Sequence, residues 1–242
     1  MKICKKLMLD RPGLTEHGPI NIVIFGDSVS HAAFNGYIDF ESVYWNLLRR
    51  KLNAVRTYVP VNMICAAIGG TTASASVSRL EDQVLCHRPD LVIVCFGLND
   101  VNGQKEVYLS ALKEIFGRCL GAGCEVVFLT PNMLNTYVAD DTPREYYDYA
   151  HKTAEMQNSG KMDDYIYAAK ALAEEMGVMV CDCYTEWKKL SKTEDVTLML
   201  ANRINHPTPE MHELFADALF ALLMQDETVG ECDSDTMYKK EG

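Results

Sequence analysis

The chain contains no long apolar run, and it has fewer basic than acidic residues. None of its apolar runs reaches the roughly 20 residues that a membrane-spanning helix needs. It has 23 basic and 34 acidic residues, a formal net charge of −11, and no cluster of Lys and Arg offsets this excess. Nucleic acids and anionic membrane surfaces attract basic proteins. We therefore expect no nucleic acid among the partners and no stable membrane insertion.

Targeting and metal-binding patterns are also missing. Asp10 and Arg11 interrupt the first residues before the apolar core of a signal peptide forms. The nine cysteines are an odd number and are scattered along the chain. Cys181 and Cys183 are one residue apart, which fits neither a redox CxxC pair nor a zinc knuckle. We expect a cytoplasmic protein with reduced cysteines and no metal or organic cofactor.

Short apolar runs alternate with segments of helical periodicity along most of the chain. The length of 242 residues, 48% of them hydrophobic, fits one sizeable α/β domain. The strands are predicted at residues 22–25, 59–67, 91–96, 125–129 and 178–181, and the main helices at 40–52, 73–86, 107–120, 162–176 and 210–224. Such alternation predicts a three-layer α/β/α sandwich of the flavodoxin-like, doubly wound kind, with a parallel five-stranded sheet of order 2-1-3-4-5.

Two segments depart from this alternation. Residues 131–160 are polar, rich in Asp and Tyr, and longer than an ordinary connection, with some helix expected around 145–154. They follow a carboxyl strand end, so we expect an insertion near the rim of the ligand crevice. Residues 225–242 are acidic and poor in apolar side chains, which indicates a loosely held tail. The domain itself is predicted to span residues 1–224.

Small polar residues follow three of the predicted strands at their carboxyl ends, where open parallel sheets bind ligands. Ser28 comes just after the first strand, where it could be a nucleophile or merely cap the next helix. Gly69 and Gly70 follow the second strand and fit a tight turn as well as a close backbone approach. Asn99 follows the third, as an amide donor or the first residue of an Asx turn.

Four segments in this order resemble the four blocks of the SGNH hydrolases, also called the GDSL esterase/lipase family. The segments are Gly26-Asp27-Ser28, Gly69-Gly70-Thr71-Thr72, Gly97-Leu98-Asn99-Asp100 and Asn205-His206-Pro207. The resemblance spans about residues 20–224 and implies a serine esterase. It implies Ser28 as the nucleophile and His206 as the base. It also implies an oxyanion hole made by the backbone N–H groups of Ser28 and Gly70 and the side-chain amide of Asn99.

The general base should be a histidine, because its pKa lies near the working pH. His31 is the main rival of His206, since it is only three residues from Ser28. His206 is favoured because the dipeptide with Pro207 before the last helix matches the resembled family. His212 is expected either to pack in that helix or to make a hydrogen bond to a neighbouring loop. The Gly-x-Ser-x-Gly elbow of the α/β-hydrolases is not present.

One position departs from the family pattern. The family usually carries an aspartate three residues before the histidine, and this chain has Arg203 there. Asn202 could orient the imidazole through its side-chain oxygen instead. Alternatively, a backbone carbonyl could do so, which would leave a Ser–His dyad. An asparagine would orient the ring without supplying a charge to stabilise the imidazolium.

The insertion suggests the kind of substrate. It carries Tyr137, Tyr146, Tyr147 and Tyr149 beside acidic residues, a mixture that suits a polar, sugar-like molecule better than a long alkyl chain. We therefore expect hydrolysis of small acyl esters, acetyl above all, with an acetylated sugar as a candidate substrate. A lysophospholipase or acyl-thioesterase of the same family is the alternative, and the oligomeric state stays open.

Two further interpretations remain. A flavodoxin-like module could bind a phosphate or nucleotide on the loop at residues 26–30. That hypothesis gives no task to Asn99 or His206, and the carboxylates of Asp27 and Asp100 would repel a phosphate. A non-catalytic member of the family is suggested by the missing aspartate, but the other implied site residues are all retained.

Overall fold

The computed structural model describes residues 2–225, and residues 226–242 of the predicted acidic tail lie outside this range. Five parallel strands form one sheet in the order β2-β1-β3-β4-β5. The strands are β1 Ile20–Gly26, β2 Val61–Cys65, β3 Leu91–Cys95, β4 Glu125–Leu129 and β5 Met179–Cys181. The predicted doubly wound α/β architecture and its strand order are confirmed.

Helices connect the strands and flank the sheet on both faces. They are α1 Lys2–Leu7, α2 Arg11–His17, α3 Tyr44–Val55, α4 Ala73–Ser76, α5 Leu80–Gln83, α6 Lys105–Gly121, α7 Tyr147–Asn158, α8 Lys161–Glu175, α9 Cys183–Leu190 and α10 Pro209–Met224. On one face, α3 packs against β2 and α10, and α1 packs against α10. On the other, α6 packs against β4, and α4 and α8 pack against α6. Across residues 2–225, no helix has both the length and the apolar composition that a membrane span requires.

The centre of the sheet sets the position of the polar turns. All five residues of β3 are buried, as an unbroken apolar strand between two helical layers should be. In the register of β1 and β3, Gly26 lies beside Cys95. Ser28 and Asn99 therefore follow the ends of adjacent strands at the same edge of the sheet.

The two amino-terminal helices, α1 and α2, were not predicted from the sequence. Helix α2 begins at the N-cap Asp10, whose side chain accepts the Gly13 N–H at 3.0 Å, but it contains no buried residue. It therefore lacks an amphipathic signal. Helix α1 is a short helix of 6 residues, and periodicity is hard to detect over so few positions.

The single helix predicted at residues 73–86 is wrong in its continuity. The segment consists of α4, a 3₁₀ turn at Val77–Arg79, α5 and a second 3₁₀ turn at Leu85–His87. Arg79 lies at the first break in the helix. Its guanidinium lies 4.6 Å from the centre of the Phe25 ring and also donates to the Ala66 carbonyl. Tertiary contacts of this kind override a periodic pattern.

Candidate active site

Ser28 lies in a sharp turn that only a glycine at position 26 allows. A Cβ atom on Gly26 would lie 2.5 Å from Ser30 Oγ and 2.6 Å from the Cys95 carbonyl oxygen, closer than real Cβ atoms come. The chain then turns, and the His31 N–H donates to the Asp27 carbonyl at 2.9 Å. Strand β1 thus ends in a compact loop that leads Ser28 to the carboxyl edge of the sheet.

A short hairpin follows this loop, formed by residues 33–38. Ala33 and Ile38 form an antiparallel bridge, and the Phe34 N–H donates to the Tyr37 carbonyl at 3.0 Å. Gly36 has a φ of +77°, which favours glycine in the turn. The rings of Phe34 and Tyr37 stack with centroids 5.4 Å apart, so the hairpin is closed by backbone and side-chain contacts.

His206 bridges Ser28 and this hairpin. Its Nε2 atom lies 3.0 Å from Ser28 Oγ, and its Nδ1 atom lies 2.7 Å from the Phe34 carbonyl oxygen. A carbonyl can only accept, so the hydrogen of the neutral ring must be on Nδ1. Nε2 is therefore free to accept the Ser28 hydroxyl proton. The structure thus brings together the predicted nucleophile and the predicted base.

The environment of His206 favours the neutral imidazole. Burial lowers the pKa of His206 below its usual value of 6.5, and the hydrogen bond to the Phe34 carbonyl opposes this shift only in part. A base that is neutral near pH 7 can accept a proton from a serine hydroxyl.

Asn202 does not contact the imidazole ring, so its predicted contact with the ring is wrong. Its Oδ1 atom accepts the backbone N–H groups of Ile204 at 3.1 Å, Asn205 at 2.9 Å and His206 at 2.9 Å. Its Nδ2 atom donates to Asn205 Oδ1 at 2.9 Å. Asn202 therefore shapes the loop that carries His206, while the Phe34 carbonyl makes the contact with the ring.

Sequence reasoning allowed a backbone carbonyl in this role but could not identify Phe34. Any residue type supplies the same carbonyl, so no side-chain signal marks the position. Only the hairpin geometry brings it to Nδ1.

Arg203 occupies the position of the missing aspartate and is directed elsewhere. Its guanidinium pairs with the carboxylate of Asp141 at 3.0 Å and donates to the carbonyls of Leu198 and Leu200 at 3.0 and 2.9 Å. Its φ of +59° is in the left-handed region, where a non-glycine residue is uncommon. Arg203 thus stabilises a turn in this loop, and its side chain bonds to Asp141, Leu198 and Leu200 and not to the His206 ring.

The loop after β2 is held from the end of β3. The Asn99 side-chain amide donates to the Thr71 carbonyl at 3.0 Å, and the Ala73 N–H donates to Asp100 Oδ1 at 2.9 Å. Gly70 has a φ of +76°, which again suits glycine. Two neighbouring side chains, Asn99 and Asp100, therefore fix the Gly70 turn beside the end of β1.

Two backbone donors at this edge have no protein acceptor. Among residues 2–225, the N–H groups of Ser28 and Gly70 make no hydrogen bond. The amide of Asn99 has one hydrogen in use and a second that remains available. Ser28, Gly70, Asn99 and His206 all line one cavity of about 530 Å³. The N–H groups of Ser28 and Gly70 and the available amide hydrogen of Asn99 could donate to a negatively charged oxygen in that cavity.

The hairpin and the insertion form the other walls of the cavity. Tyr37 and Ile38 contribute from the hairpin, and Tyr146 and Tyr149 from the insertion. Residues 131–160 thus contribute two tyrosines to the lining, and helix α7 begins at Tyr147. Tyr137 is not part of the lining, and its hydroxyl donates to Asp195 at 2.7 Å. Tyr147 is also absent from the lining.

Two carboxyl groups are buried behind the site. Asp27 Oδ1 accepts the Val29 N–H at 3.1 Å, and Asp100 Oδ1 accepts the Ala73 N–H. In each, the Oδ2 atom has no hydrogen-bond partner among the described residues. Burial raises the pKa of Asp27 to about 7 and the pKa of Asp100 to about 6. Near neutral pH these groups are therefore partly protonated, which reduces their negative charge behind the cavity.

The other two histidines near the site have different environments. His212 is buried against Tyr44, whose N–H donates to His212 Nδ1 at 3.2 Å, and its ring lies nearly parallel to the Tyr44 ring. Burial lowers the pKa of His212 to about 3, so it is a neutral packing residue. His31 Nδ1 accepts the Gly69 N–H at 3.1 Å. Only His206 has a ring nitrogen in hydrogen-bond contact with Ser28 among the described histidines.

The buried Sγ atoms of Cys181 and Cys183 lie 4.0 Å apart. Over residues 2–225, no group of three or more His, Cys, Asp or Glu side chains is arranged to hold a metal ion.

The family model of the GDSL-like Lipase/Acylhydrolase family matches residues 24–214, a range that includes Ser28, Gly70, Asn99 and His206. The chain belongs to this family. It is a carboxylic ester hydrolase of the GDSL/SGNH type, as the resemblance of its four blocks implied.

The proteins similar to this hydrolase include acetylxylan esterases. It is 25% identical over 167 residues to an acetylxylan esterase of Geobacillus stearothermophilus, covering 69% of this chain and 74% of that protein. The crystal structure of Axe2, an acetylxylan esterase from Geobacillus stearothermophilus, has a TM-score of 0.67 at 19% identity, with 85% and 94% coverage. LAE5, an α/β hydrolase enzyme from the metagenome of Lake Arreo, Spain, has a TM-score of 0.67 at 22% identity, with 84% and 94% coverage. At these identities the structural similarity establishes the fold.

Proposed function

We propose that this hydrolase is a serine esterase that removes small acyl groups, chiefly acetyl, from carbohydrate esters. The observation that carries the proposal is the contact of 3.0 Å between Ser28 Oγ and His206 Nε2, with Nδ1 held by the Phe34 carbonyl. Ser28 and Gly70, whose N–H groups have no acceptor among the described residues, line the same cavity as His206. A hydroxyl, a base and oxyanion donors are the parts that ester hydrolysis by serine requires.

In the first half of the reaction, Ser28 Oγ attacks the ester carbonyl while His206 Nε2 takes the hydroxyl proton. The carbonyl oxygen becomes an oxyanion, and Ser28 N–H, Gly70 N–H and the Asn99 amide donate hydrogen bonds to it. Collapse of the tetrahedral intermediate breaks the bond to the alcohol, which leaves with the proton from Nε2. The acyl group stays on Ser28.

In the second half, a water molecule attacks the acyl-enzyme. His206 Nε2 takes a proton from this water, and the same donors stabilise the second oxyanion. The carboxylic acid leaves, and Ser28 regains its proton from Nε2. Throughout the cycle the Phe34 carbonyl keeps the Nδ1–H in place. It supplies part of the orientation that a carboxylate gives elsewhere, but without a full negative charge.

The side chains that line the cavity favour an ester whose alcohol part is polar and ring-shaped. Tyr37, Tyr146 and Tyr149 lie around the mouth, and tyrosines combine a flat apolar face with a hydroxyl. Tyr37 and Tyr146 are each 51% exposed, so their faces are available to a sugar. The names of the acetylxylan esterase relatives support the same substrate class.

Labelling with a fluorophosphonate probe tests the nucleophile. We expect covalent modification of Ser28 and loss of both labelling and esterase activity in Ser28→Ala, with kcat reduced on the order of 10⁶-fold. Ser30→Ala is the matched control, because Ser30 is in the same turn but its hydroxyl is paired with Tyr44 at 2.8 Å. Labelling that persists in Ser28→Ala would contradict the proposal.

Substrate preference tests the acyl and alcohol parts. We expect kcat/KM to be highest for p-nitrophenyl acetate among esters of increasing chain length, and acetate to be released from acetylated xylo-oligosaccharides. A preference for octanoyl esters or lysophospholipids would favour the lysophospholipase alternative. A preference for acyl thioesters would favour a thioesterase.

A further inference from the structure

We propose that His31 is a positioning residue for the oxyanion hole, holding the Gly69–Gly70 turn through its Nδ1 atom. The inference rests on the proposed function, since it assigns a task within the same ester hydrolysis. His31 is close to Ser28 in sequence and was therefore the rival of His206 as the general base. The inference gives it a different role.

The backbone of His31 is fixed by the loop that carries the nucleophile. Its N–H donates to the Asp27 carbonyl at 2.9 Å, one turn after the end of β1. Its ring centroid lies 6.2 Å from that of Phe40. His31 therefore belongs to the same compact loop as Ser28, and its ring extends from that loop toward the turn after β2.

The contact with the second loop is a single directed hydrogen bond. The Gly69 N–H donates to His31 Nδ1 at 3.1 Å. Because Nδ1 accepts, it carries no hydrogen, and the neutral ring has its hydrogen on Nε2. A Cβ atom on Gly69 would lie 3.6 Å from His31 Nδ1 and 3.7 Å from Ser28 Cβ, so Gly69 faces both residues across a gap of about one methyl group.

This bond decides which glycine offers its N–H to a substrate. The Gly69 N–H is occupied by His31, whereas the Gly70 N–H has no acceptor among the described residues. The φ of +76° at Gly70 turns the chain directly after the point that His31 holds. The direction of the Gly70 N–H is thus set by its neighbour, and oxyanion donors must be aimed closely to be effective.

Other contacts hold the rest of this turn. Asn99 holds Thr71 and Asp100 holds Ala73, both from the end of β3, and the Gly26 carbonyl at the end of β1 accepts the Ile68 N–H at 3.1 Å. His31 is the side chain of the nucleophile's own loop that holds Gly69. It therefore couples the position of the Gly70 N–H to the position of Ser28, the two points between which the ester carbonyl must fit.

Substitutions at His31 can separate this role from a general structural one. Asparagine places its Oδ1 atom two bonds from Cβ, like Nδ1 of histidine, and can accept the Gly69 N–H. Glutamine places its oxygen one bond further away, and alanine offers no acceptor. We expect His31→Asn to keep kcat on p-nitrophenyl acetate within about threefold of the wild type, because the acceptor is retained.

His31→Gln and His31→Ala should each lower kcat by about 10- to 100-fold, with KM changed by less than about threefold. Removing an oxyanion donor altogether costs roughly 10²–10³ in kcat, and a misdirected donor should cost less. His87→Ala is the matched control, because His87 is exposed in a 3₁₀ turn away from the cavity, and it should match the wild type.

Three results would overturn the inference. The first is equal kcat in His31→Ala and the wild type, and the second is a loss of kcat in His31→Asn as large as in His31→Ala. The third is a change confined to KM. Fluorophosphonate labelling of wild-type Ser28 distinguishes the two proposals. A wild type that neither labels nor hydrolyses esters would refute the proposed function itself. An active, labelled wild type with an unaffected His31→Ala would refute only the role of His31.

Discussion

In this site the imidazole of His206 has an uncharged hydrogen-bond partner, the carbonyl of Phe34. His206 Nδ1 donates to the Phe34 carbonyl, and burial lowers the pKa of the imidazole. A carboxylate at this position would favour the protonated ring, whereas a carbonyl favours it much less. The base should therefore remain neutral into mildly acidic solution.

The dependence of kcat/KM on pH follows from this arrangement. The proposed reaction needs neutral His206, so kcat/KM should fall as pH decreases through the pKa of His206 in the free enzyme. Because that pKa is lowered, we expect the midpoint below pH 6.5. Steady-state kinetics with p-nitrophenyl acetate between pH 4.5 and 8 would measure it. A midpoint above 6.5 would indicate a charged partner for the imidazole.

Restoring the family's aspartate should not restore a charged triad. We expect Arg203→Asp to give no increase in kcat, because Nδ1 is already bonded to Phe34 and the side chain at 203 is directed toward Asp141. It should lower the melting temperature, since contacts of the guanidinium with Asp141 and two carbonyls are lost. Arg203→Asn removes the same contacts without adding a charge. A higher kcat in Arg203→Asp than in both the wild type and Arg203→Asn would show that the aspartate reaches the His206 imidazole.

At the scale of elements, the hairpin 33–38 has two tasks. It provides a wall of the cavity and the acceptor for His206. Its turn depends on Gly36, whose φ of +77° costs an alanine roughly 1–2 kcal/mol. A strained turn would shift the Phe34 carbonyl and with it the imidazole.

We expect Gly36→Ala to lower kcat by about 10- to 100-fold, since small displacements of catalytic groups have effects of this order. Gly36→Asn should lose much less, because asparagine tolerates the left-handed conformation better. The measurement is kcat for both variants, together with KM, since Gly36 lines the cavity. Equal kcat values in the two variants would argue against the hairpin as the orienting element.

The regular elements were predictable where burial leaves a clear pattern. Strand β4 is found at its predicted bounds, and the fully apolar β3 ends one residue early. The hairpin 33–38 was not predicted, because it is short and its bridge joins only Ala33 and Ile38. The Phe34–Tyr37 stack stabilises it locally, whereas its contact with His206 joins residues 172 positions apart and needs the folded chain.

For the whole molecule, the buried carboxyl of Asp27 links the free energy of unfolding to pH. The pKa of Asp27 is about 7 in the folded state and 3.8 as an ordinary value. The folded state binds its proton more tightly, so this group's contribution to stability falls as pH rises from about 3.8 to about 7. Above that range the contribution is constant.

Asp27→Asn removes this titration while retaining an acceptor for the Val29 N–H. The free energy of unfolding of the variant, relative to the wild type, should increase by about 2 kcal/mol between pH 5.5 and 8. Urea denaturation at both pH values would measure the difference, and Asp100 is common to both proteins. A difference that is independent of pH would mean that Asp27 stays ionised in the folded protein.

The site as a whole could be predicted only where side chains carry it. Ser28, Asn99 and His206 were identified from their blocks, and the structure brings them to one cavity with Gly70. Asn202 is one of the two candidates that the sequence offers for orienting the ring, but three backbone N–H groups donate to its oxygen instead. Local turns compete for such side chains, and sequence spacing does not reveal which partner wins.

The carbonyl that orients His206 also affects how related chains should be judged. No side-chain replacement at position 34 deletes this acceptor, since every amino acid brings one. Point mutation can displace it only by deforming the hairpin. A screen that demands an acid three places before the histidine would discard this chain as inert, although its imidazole is held against the serine without one.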